Sequence, residues 1–253
     1  MQLWHHHRLQ LHTQLGALAL DIDLDLTCNW TVIFGPSGSG KSTILRALAG
    51  LLPNAEAKLM RQDEDRNKPG SPASVSRSLG WNKHDLTHLP PRDRRIAYAP
   101  QQPSLFPHLT VAENVAFAQR SSRSSTPSVE NVNEAVKLFR LEDLIRRYPK
   151  NLSGGERQRV NLARAFAFPN PQLILFDEPF TGIDRPLRDA ILPELRESLR
   201  LSGIPVVSVT HDVEEAFRLQ AEVVVLRDGR IHDEGYVSKV LADERLNLLN
   251  ALR

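Results

Sequence analysis

The sequence is poor in cysteine and in long apolar runs. Cys28 is the single cysteine among 253 residues, so the chain cannot form an internal disulfide, which fits a reducing compartment. Residues 1–8 lack the uninterrupted apolar segment of a signal peptide, and no run is long enough to span a bilayer. We therefore expect a cytoplasmic protein that reaches a membrane only through partners.

The chain also lacks an excess of charge of one sign. Its 32 basic and 30 acidic residues leave a formal net charge of +2, so composition offers no electrostatic basis for binding nucleic acid, and we expect none. The 41% of apolar residues is enough for a buried core in a chain of this length. These quantities favour one globular domain, or a core with a smaller subdomain.

What the chain does contain is a glycine-rich segment in a specific context. Residues 35–42 have the sequence GPSGSGKS, which fits the phosphate-loop pattern GxxxxGK[ST], and they lie between an apolar run at 30–34 and a helical pattern at 43–49. Backbone N–H groups of such a loop encircle phosphate oxygens, and the following helix adds its positive N-terminal dipole. Lys41 would supply a point charge and the Ser42 hydroxyl would ligate Mg²⁺. The segment predicts nucleoside triphosphate binding without saying what hydrolysis drives.

The stretches on either side of this loop carry weaker signals. In residues 9–26 leucine and isoleucine alternate with polar residues, which predicts antiparallel strands. The intervening aspartates, with no histidine beside them, are interpreted as a solvated face and not as a metal site. Residues 54–95 are polar and irregular and are predicted to be a loop. The histidines at 5–7 are interpreted as an incidental cluster at a mobile terminus.

A glutamine connector leads into a helical region. Gln101 follows a short predicted strand at 95–99, between two prolines, where its side chain can reach a metal or a water at a neighbouring phosphate site. From 109 to 150 the apolar spacing is helical with a Ser-rich break at 121–128, which predicts an inserted helical subdomain of about three helices. Residues 153–155 begin a further helix whose N-terminus suits an anion.

Two more apolar strands are predicted to end at the edge of the sheet that holds the phosphate loop. The run at 173–176 is followed by Asp177 and Glu178, and the run at 204–209 leads to His211. Because ligands of parallel sheets lie beyond the carboxyl ends of the strands, these side chains should face the loop. Asp177 would hold Mg²⁺ directly or through water, Glu178 would act as general base, and His211 would contact the γ-phosphate.

In order along the chain, these segments resemble the nucleotide-binding subunit of an ABC transporter. The resemblance covers essentially the entire chain and rests on five signals: GPSGSGKS at 35–42, Gln101, LSGGERQ at 152–158, LILFDEP at 173–179 with TGID at 181–184, and His211. The LSGGERQ segment ahead of an acidic strand is the part that other phosphate-loop ATPases lack.

The resemblance implies an α/β fold. This would be a P-loop NTPase core with a mixed or parallel sheet, an N-terminal antiparallel β subdomain and an inserted helical subdomain. Residues 1–253 would form a single ABC ATPase domain, with a RecA-like core at about 1–100 and 167–253 and the helical subdomain at about 101–166. A hairpin around Gly229 and a helix over 236–253 would close the chain.

The resemblance also implies a head-to-tail dimer with ATP between Lys41 of one subunit and residues 153–155 of the other. Ser42, Gln101 and Asp177 would hold Mg²⁺. Glu178, His211 and Gln101 would be the catalytic residues, and Asp184 would belong to the turn that couples the two sites. The residues implied to bind ATP within one subunit are Gly35, Pro36, Ser37, Gly38, Ser39, Gly40, Lys41, Ser42 and Thr43. Those implied to bind it in trans are Ser153, Gly154, Gly155 and Glu156.

The position that stacks on adenine in this family is less clearly marked. Counting back from the phosphate loop gives His12, with Trp4 and His7 as alternatives.

Residues 89–98 and 105–111 look like the importer branch that serves molybdate, sulfate and related small anions. In that branch residues 101–115 would contact a membrane subunit. The implied partners are a second copy of the chain, integral membrane transporter subunits and a substrate-binding protein, with the chain peripheral on the inner face of the cell membrane.

Two competing hypotheses are a soluble ABC-type ATPase in cofactor assembly or on the ribosome or DNA, and an ATP-binding switch that barely hydrolyses. Glu178 favours turnover over the switch.

Overall fold

The computed structural model describes residues 3–26, 30–52, 56–65, 84–120 and 129–251. Cys28 and the predicted Ser-rich break at 121–128 lie outside these ranges. The strands within them are β1 (Leu3–Leu15), β2 (Leu18–Leu26), β3 (Trp30–Phe34), β4 (Glu56–Asp65), β5 (His84–Asp85), β6 (Ile96–Ala99), β7 (Leu173–Asp177), β8 (Val206–Thr210), β9 (Glu222–Arg227) and β10 (Arg230–Tyr236). The helices are α1 (Lys41–Leu48), α2 (Val111–Arg120), α3 (Val129–Leu138), α4 (Gly154–Phe166), α5 (Arg185–Ser202), α6 (Val213–Leu219), α7 (Val237–Val240) and α8 (Ala242–Ala251).

The described strands form one mixed sheet in the order β5-β4-β1-β2-β10-β9-β3-β8-β7-β6. The last five strands of this order run parallel to their neighbours, and β7 and β8 are buried at every position. Strands covered on both faces require continuous apolar runs, which is what these segments contain. The β1, β2, β4 and β5 strands pair antiparallel, and β2 alternates buried and less buried residues. The predicted mixed sheet with an N-terminal antiparallel part is confirmed.

Two apolar cores lie against this sheet. One packs α1, through Leu45 and Leu48, against the inner face of β1 and β2. The other joins α4 and the helices around it to the parallel strands, with Phe139 and Phe176 fully buried. The phosphate-loop segment between β3 and α1 is therefore anchored at both ends by buried elements.

The prediction of a loop over 54–95 is wrong at residues 56–65 and 84–85, which are strands. Residues 56–65 form β4, which pairs with β1 over ten positions from Leu3↔Asp65 to His12↔Glu56. The strand escaped prediction because only its start alternates, with Leu59 buried, whereas its later residues are charged. Pairing with β1, and not a continuous apolar face, holds these residues in the sheet. Residues 66–83 lie outside the described ranges.

The interpretation of residues 5–7 as a mobile terminal cluster is also wrong. All three histidines belong to β1, and His7 is fully buried between Leu26 of β2 and Arg61 of β4. β1 has a paired strand on each side, so these residues belong to the sheet and not to a free terminus.

The outward face of β1 and β2 is charged, as the alternation predicts. Asp23 accepts hydrogen bonds from Arg8 at 2.7 and 2.9 Å, and these contacts lower its pKa. The expectation that no histidine lies beside the aspartates is wrong, because His12 Nδ1 lies 2.8 Å from Asp21 across the strand pair. Cross-strand neighbours of this kind cannot be seen from positions along the sequence.

The described helices include two that sequence patterns did not predict here. α5 begins after Asp184, whose carboxylate accepts from the Leu187 N–H at 3.3 Å, and it buries Ile191, Leu195 and Leu199 at helical spacing. That cap and spacing were visible in the sequence. α6 begins in the same way after Asp212. None of the helices in the described ranges combines the length and the apolar character needed to cross a membrane.

Candidate functional site

The phosphate loop connects the end of β3 to the start of α1. Gly40, which caps α1, has φ +100, and a Cβ there would lie 2.4 Å from a methyl carbon of Leu20. The left-handed backbone conformation therefore favours glycine, and an added methyl would also force the Leu20 side chain to move. Among the residues that the structure describes, no side chain caps α1, so the first-turn N–H groups are available to an anion at the helix N-terminus.

Lys41 lies inside this loop. Its ammonium donates to the carbonyl oxygens of Gly35 and Pro36, each at 2.8 Å, and the residue is 7% exposed. Burial lowers the pKa of Lys41, and the carboxylates of Glu178 and Asp177 act in the opposite direction. The cation is thus held at the loop within the field of both acids, where a phosphate would give it a direct anionic partner.

Asp177 ends β7 beside the phosphate loop. Ser42 Oγ donates to its Oδ1 at 3.0 Å and the Tyr98 hydroxyl donates to its Oδ2 at 3.3 Å. Burial raises the pKa of the Asp177 carboxyl, partly offset by these hydrogen bonds. A carboxylate and a hydroxyl are the hard oxygen donors that Mg²⁺ prefers, and a cation here would offset the cost of burying the charge. The residues present fit the predicted Mg²⁺ site.

Two residues near Asp177 complete this edge of the sheet. Tyr98 has no counterpart in the sequence predictions, although its position in the short strand before Gln101 was a usable signal. Gln101 is exposed and follows β6, whose last residue Ala99 pairs with Phe176. The predicted connector therefore begins next to the acidic end of β7.

Glu178 and His211 are brought together by neighbouring strands. Asp177 of β7 pairs with Val209 of β8, and the Glu178 N–H donates to the Val209 carbonyl at 3.0 Å. The carboxylate Oε1 of Glu178 then lies 2.9 Å from His211 Nδ1, with the acid side chain 12% and the imidazole 70% exposed. Glu178 has φ +49, a conformation that costs a non-glycine residue energy and that occurs often at functional sites.

The LSGGERQ segment forms the N-terminus of α4. Ser153 is the cap: its Oγ accepts from the Glu156 N–H at 3.2 Å, while its own N–H donates to Glu156 Oε2 at 2.6 Å. This capping box fixes the first turn. Ser153 and Gly154 are exposed, and a Cβ at Gly154 would meet no atom of the described residues within 4 Å. The helix end therefore faces outward.

The opposite side of the same helix end packs against the turn that follows Glu178. A Cβ at Gly155 would lie 2.5 Å from the Gly182 carbonyl oxygen. Gln158, which is buried, donates its amide hydrogens to the carbonyls of Glu178 at 3.3 Å and Pro179 at 3.0 Å. Gln158 was part of the quoted motif but was given no role from sequence. It ties α4 to the turn that carries the predicted base.

The Gly155→Ala variant should be destabilised through this contact. The new methyl group would overlap a backbone carbonyl that cannot rotate away, and such overpacking costs about 1–3 kcal/mol. We expect a matching fall in the free energy of unfolding measured with urea. The control is Gly154→Ala, where the added methyl meets open space and should leave that free energy unchanged or slightly raised. Equal effects of the two substitutions would contradict the packing described here.

His12 lies on a different face of the sheet from the side chains that approach the phosphate loop. It lies on the exposed face of β1, whereas Leu20 on β2, whose methyl approaches Gly40, lies on the buried face. His12 instead lines a surface cleft with Gln10 and Lys58. Its proposed contact with adenine stays a prediction, as do the alternatives Trp4 and His7.

The phosphate loop, the acidic end of β7 and the order of the sheet define a P-loop nucleotide-binding fold. Helix α4 packs against the turn that follows β7. The family model described as ABC transporter matches residues 20–181. The chain therefore belongs to the ABC transporter family, as the motifs indicated.

Relatives and solved structures agree with this family. The chain is 37% identical over 243 residues to the molybdenum import ATP-binding protein ModC of Rhodopseudomonas palustris CGA009, covering 95% of this chain and 61% of the relative. It is 38% identical over 234 residues to the spermidine/putrescine import ATP-binding protein PotA of Escherichia coli K12, covering 90% and 56%. The chain thus spans about three fifths of the length of these relatives.

Among solved structures, the chain is similar to the dimeric post-hydrolysis state of the ATP-binding cassette MJ0796 bound to ADP and Pi. The TM-score is 0.72 at 28% identity, over 91% of this chain and 98% of that one.

Proposed function

We propose that this chain binds and hydrolyses ATP to power an ABC importer. The observation that carries the proposal is the convergence of Lys41, Asp177, Glu178 and His211 at one edge of the sheet. The ABC transporter family and the import ATP-binding proteins among the relatives support it. Position and charge, more than covalent chemistry, would account for catalysis, as in other phosphoryl-transfer sites.

Each residue of the site has a defined part in the proposed reaction. Lys41 and the loop N–H groups would bind the phosphates, and Glu178 would orient and polarise the attacking water. His211, held by Glu178 at 2.9 Å, would contact the γ-phosphate. Ser42, Asp177 and Gln101 would hold Mg²⁺, which supplies charge neutralisation at the phosphates.

The proposed working unit is a head-to-tail dimer. Ser153 and Gly154 are exposed at a helix N-terminus. An anion bound at Lys41 of one copy could therefore be capped by the helix end of another. The dimeric cassette with ADP and Pi among the similar structures supports this arrangement. Asp184, which caps α5 beside the Gly155 contact, would link the two sites.

We further propose membrane transporter subunits and a substrate-binding protein as partners, with the chain on the inner face of the cell membrane. A small anion such as molybdate is the first candidate substrate, because the ModC relative is a molybdenum import protein. A polyamine is the second candidate, because the PotA relative is 38% identical.

Uptake assays separate these candidates. Cells whose only copy of the gene encodes Glu178→Gln should lose accumulation of the transported compound while expressing the protein at the normal level. Loss of molybdate accumulation with normal spermidine uptake supports the anion, and the reverse pattern supports the polyamine. Normal uptake of both would overturn the assignment to these two import classes.

A further inference from the structure

A buried carboxyl group lies directly behind the proposed hydrolysis site. Glu215 on α6 is 4% exposed. Its Oε2 lies 3.3 Å from the Thr210 hydroxyl, and within the described ranges its buried Oε1 has no hydrogen-bond partner. An ionised carboxylate has about four lone-pair positions to satisfy, so one long hydrogen bond would leave most of a buried charge uncompensated.

The surroundings of Glu215 favour its neutral form. Burial raises the pKa of Glu215 to about 8, and the nearby carboxylate of Asp212 acts in the same direction, followed by that of Glu178. The hydrogen bond from Thr210 and the positive charge of Arg188 act in the opposite direction.

That opposing positive charge is already engaged. Arg188 Nη1 donates to Asp212 at 2.6 Å, and its Nε lies 3.6 Å from Asp189, which also pairs with Arg218 at 3.0 Å. The first-turn N–H groups of Glu214 and Glu215 likewise donate to Asp212 Oδ1, at 2.9 and 3.2 Å. The cation and the helix N-terminus that could stabilise an ionised Glu215 therefore already serve Asp212.

Glu215 contacts Thr210, the residue immediately before His211. Thr210 Oγ1 also accepts from the Asp212 N–H at 3.1 Å, so the same hydroxyl is bonded to the residue after His211 and to Glu215. Thr210 is buried and ends β8, opposite Phe34, the last residue before the phosphate loop. The turn that presents His211 to Glu178 is thus fixed on its buried side by the Thr210 and Glu215 pair.

We propose that Glu215 is a positioning residue, which acts as a neutral carboxylic acid and holds, through Thr210, the turn that carries His211. The proposal rests on the proposed ATP hydrolysis at Glu178 and His211. Ionisation of Glu215 would place a further negative charge beside Asp212 and Glu178 and would loosen this turn. Turnover is therefore expected to depend on a proton that takes no part in the reaction.

Two variants test this role. Glu215→Gln keeps the shape of the side chain and an acceptor oxygen for the Thr210 hydroxyl but cannot ionise, whereas Glu215→Ala removes both the shape and the acceptor. At pH 7 Glu215→Gln should turn over ATP within about twofold of wild type, and Glu215→Ala should lose about tenfold or more. Glu214→Gln is the matched control, since Glu214 lies next in sequence but pairs at the surface with Arg245 at 2.9 Å.

The dependence of turnover on pH distinguishes the positioning role from a purely structural one, because a purely structural role would leave the ratio of wild-type to variant turnover constant with pH. Between pH 7 and pH 9 the ratio of wild-type to Glu215→Gln turnover should fall about tenfold, because wild type alone loses the neutral acid. Titration of Lys41 cancels in this ratio. The ratio for Glu214→Gln should stay constant. A constant ratio for Glu215→Gln, or a Gln variant as impaired as the Ala variant at pH 7, would overturn the positioning role.

Thermal unfolding tests the protonation state without reference to activity. The folded-state pKa lies above the ordinary value of 4.5, so the stability that Glu215 contributes is complete below about pH 4.5 and is lost as pH rises to about 8. The Tm of wild type should fall relative to that of Glu215→Gln by more than about 5 °C between pH 5 and pH 8. A constant difference would show that Glu215 is ionised in the folded chain. A changing Tm difference with no turnover in either protein would refute the proposed hydrolysis, and the positioning role with it.

Discussion

The Glu178→Gln variant is expected to bind ATP normally and to hydrolyse it about 10²- to 10⁴-fold more slowly than wild type, the range that a general base contributes. The amide keeps the size of the side chain and can still hydrogen-bond His211 Nδ1, which lies 2.9 Å from Glu178 Oε1. It cannot accept a proton from water. The measurement is phosphate release at saturating ATP and Mg²⁺, together with nucleotide retained after gel filtration.

A surface exchange of the same type is the control for this result. Glu197→Gln removes a carboxylate from α5 that is 55% exposed and pairs with Arg200, and it should leave turnover unchanged. Loss of ATP binding together with turnover in Glu178→Gln would point to a binding role for Glu178. Undiminished turnover would remove Glu178 from the base role altogether.

The Lys41→Ala variant should lose ATP binding by more than about 100-fold, since hydrogen bonds to a charged group contribute about 1.5–3 kcal/mol each and Lys41 would make more than one to the phosphates. The fold should survive. In wild type the ammonium donates to the backbone carbonyls of Gly35 and Pro36 within the loop itself, so its removal breaks no hydrogen bond between the described strands or helices. Isothermal titration with ATP and Mg²⁺ measures the affinity, and circular dichroism measures the fold.

Lys239→Ala is the matched control, because Lys239 is an exposed lysine on α7. Its affinity for ATP should equal that of wild type. Retained affinity in a folded Lys41→Ala protein would contradict the assignment of residues 35–42 as the phosphate-binding loop.

The parts of the site that lie at the ends of apolar strands could be predicted from sequence. The runs at 30–34, 173–176 and 204–209 are each buried in the structure, and the parallel register places Asp177 opposite Val209. Since parallel strands share the edge where their carboxyl ends lie, the proximity of Ser42, Asp177, Glu178 and His211 followed from the order of the motifs. The apolar strand patterns and the order of the strands were therefore sufficient to predict that these side chains meet.

The features that sequence did not reveal depend on contacts across the chain. Charged β4 is a strand because it pairs with β1, and His7 is buried because strands lie on both sides of it. Gln158 contacts the site from α4, and Tyr98 contacts it from β6. Helix α5 is different: its Asp184 cap and its leucine spacing were present in the sequence and would have predicted it.

In the proposed dimer two copies close head to tail on ATP, with Lys41 of one facing Ser153 and Gly154 of the other. The most direct test is the molar mass in solution of Glu178→Gln with ATP and Mg²⁺, measured by light scattering together with the bound nucleotide. Twice the mass of one chain with two ATP per dimer is expected, and a further Gly154→Asp substitution should return the protein to one-chain mass while each copy still binds ATP. A one-chain mass for ATP-bound Glu178→Gln, or a dimer that persists with Gly154→Asp, would contradict the account.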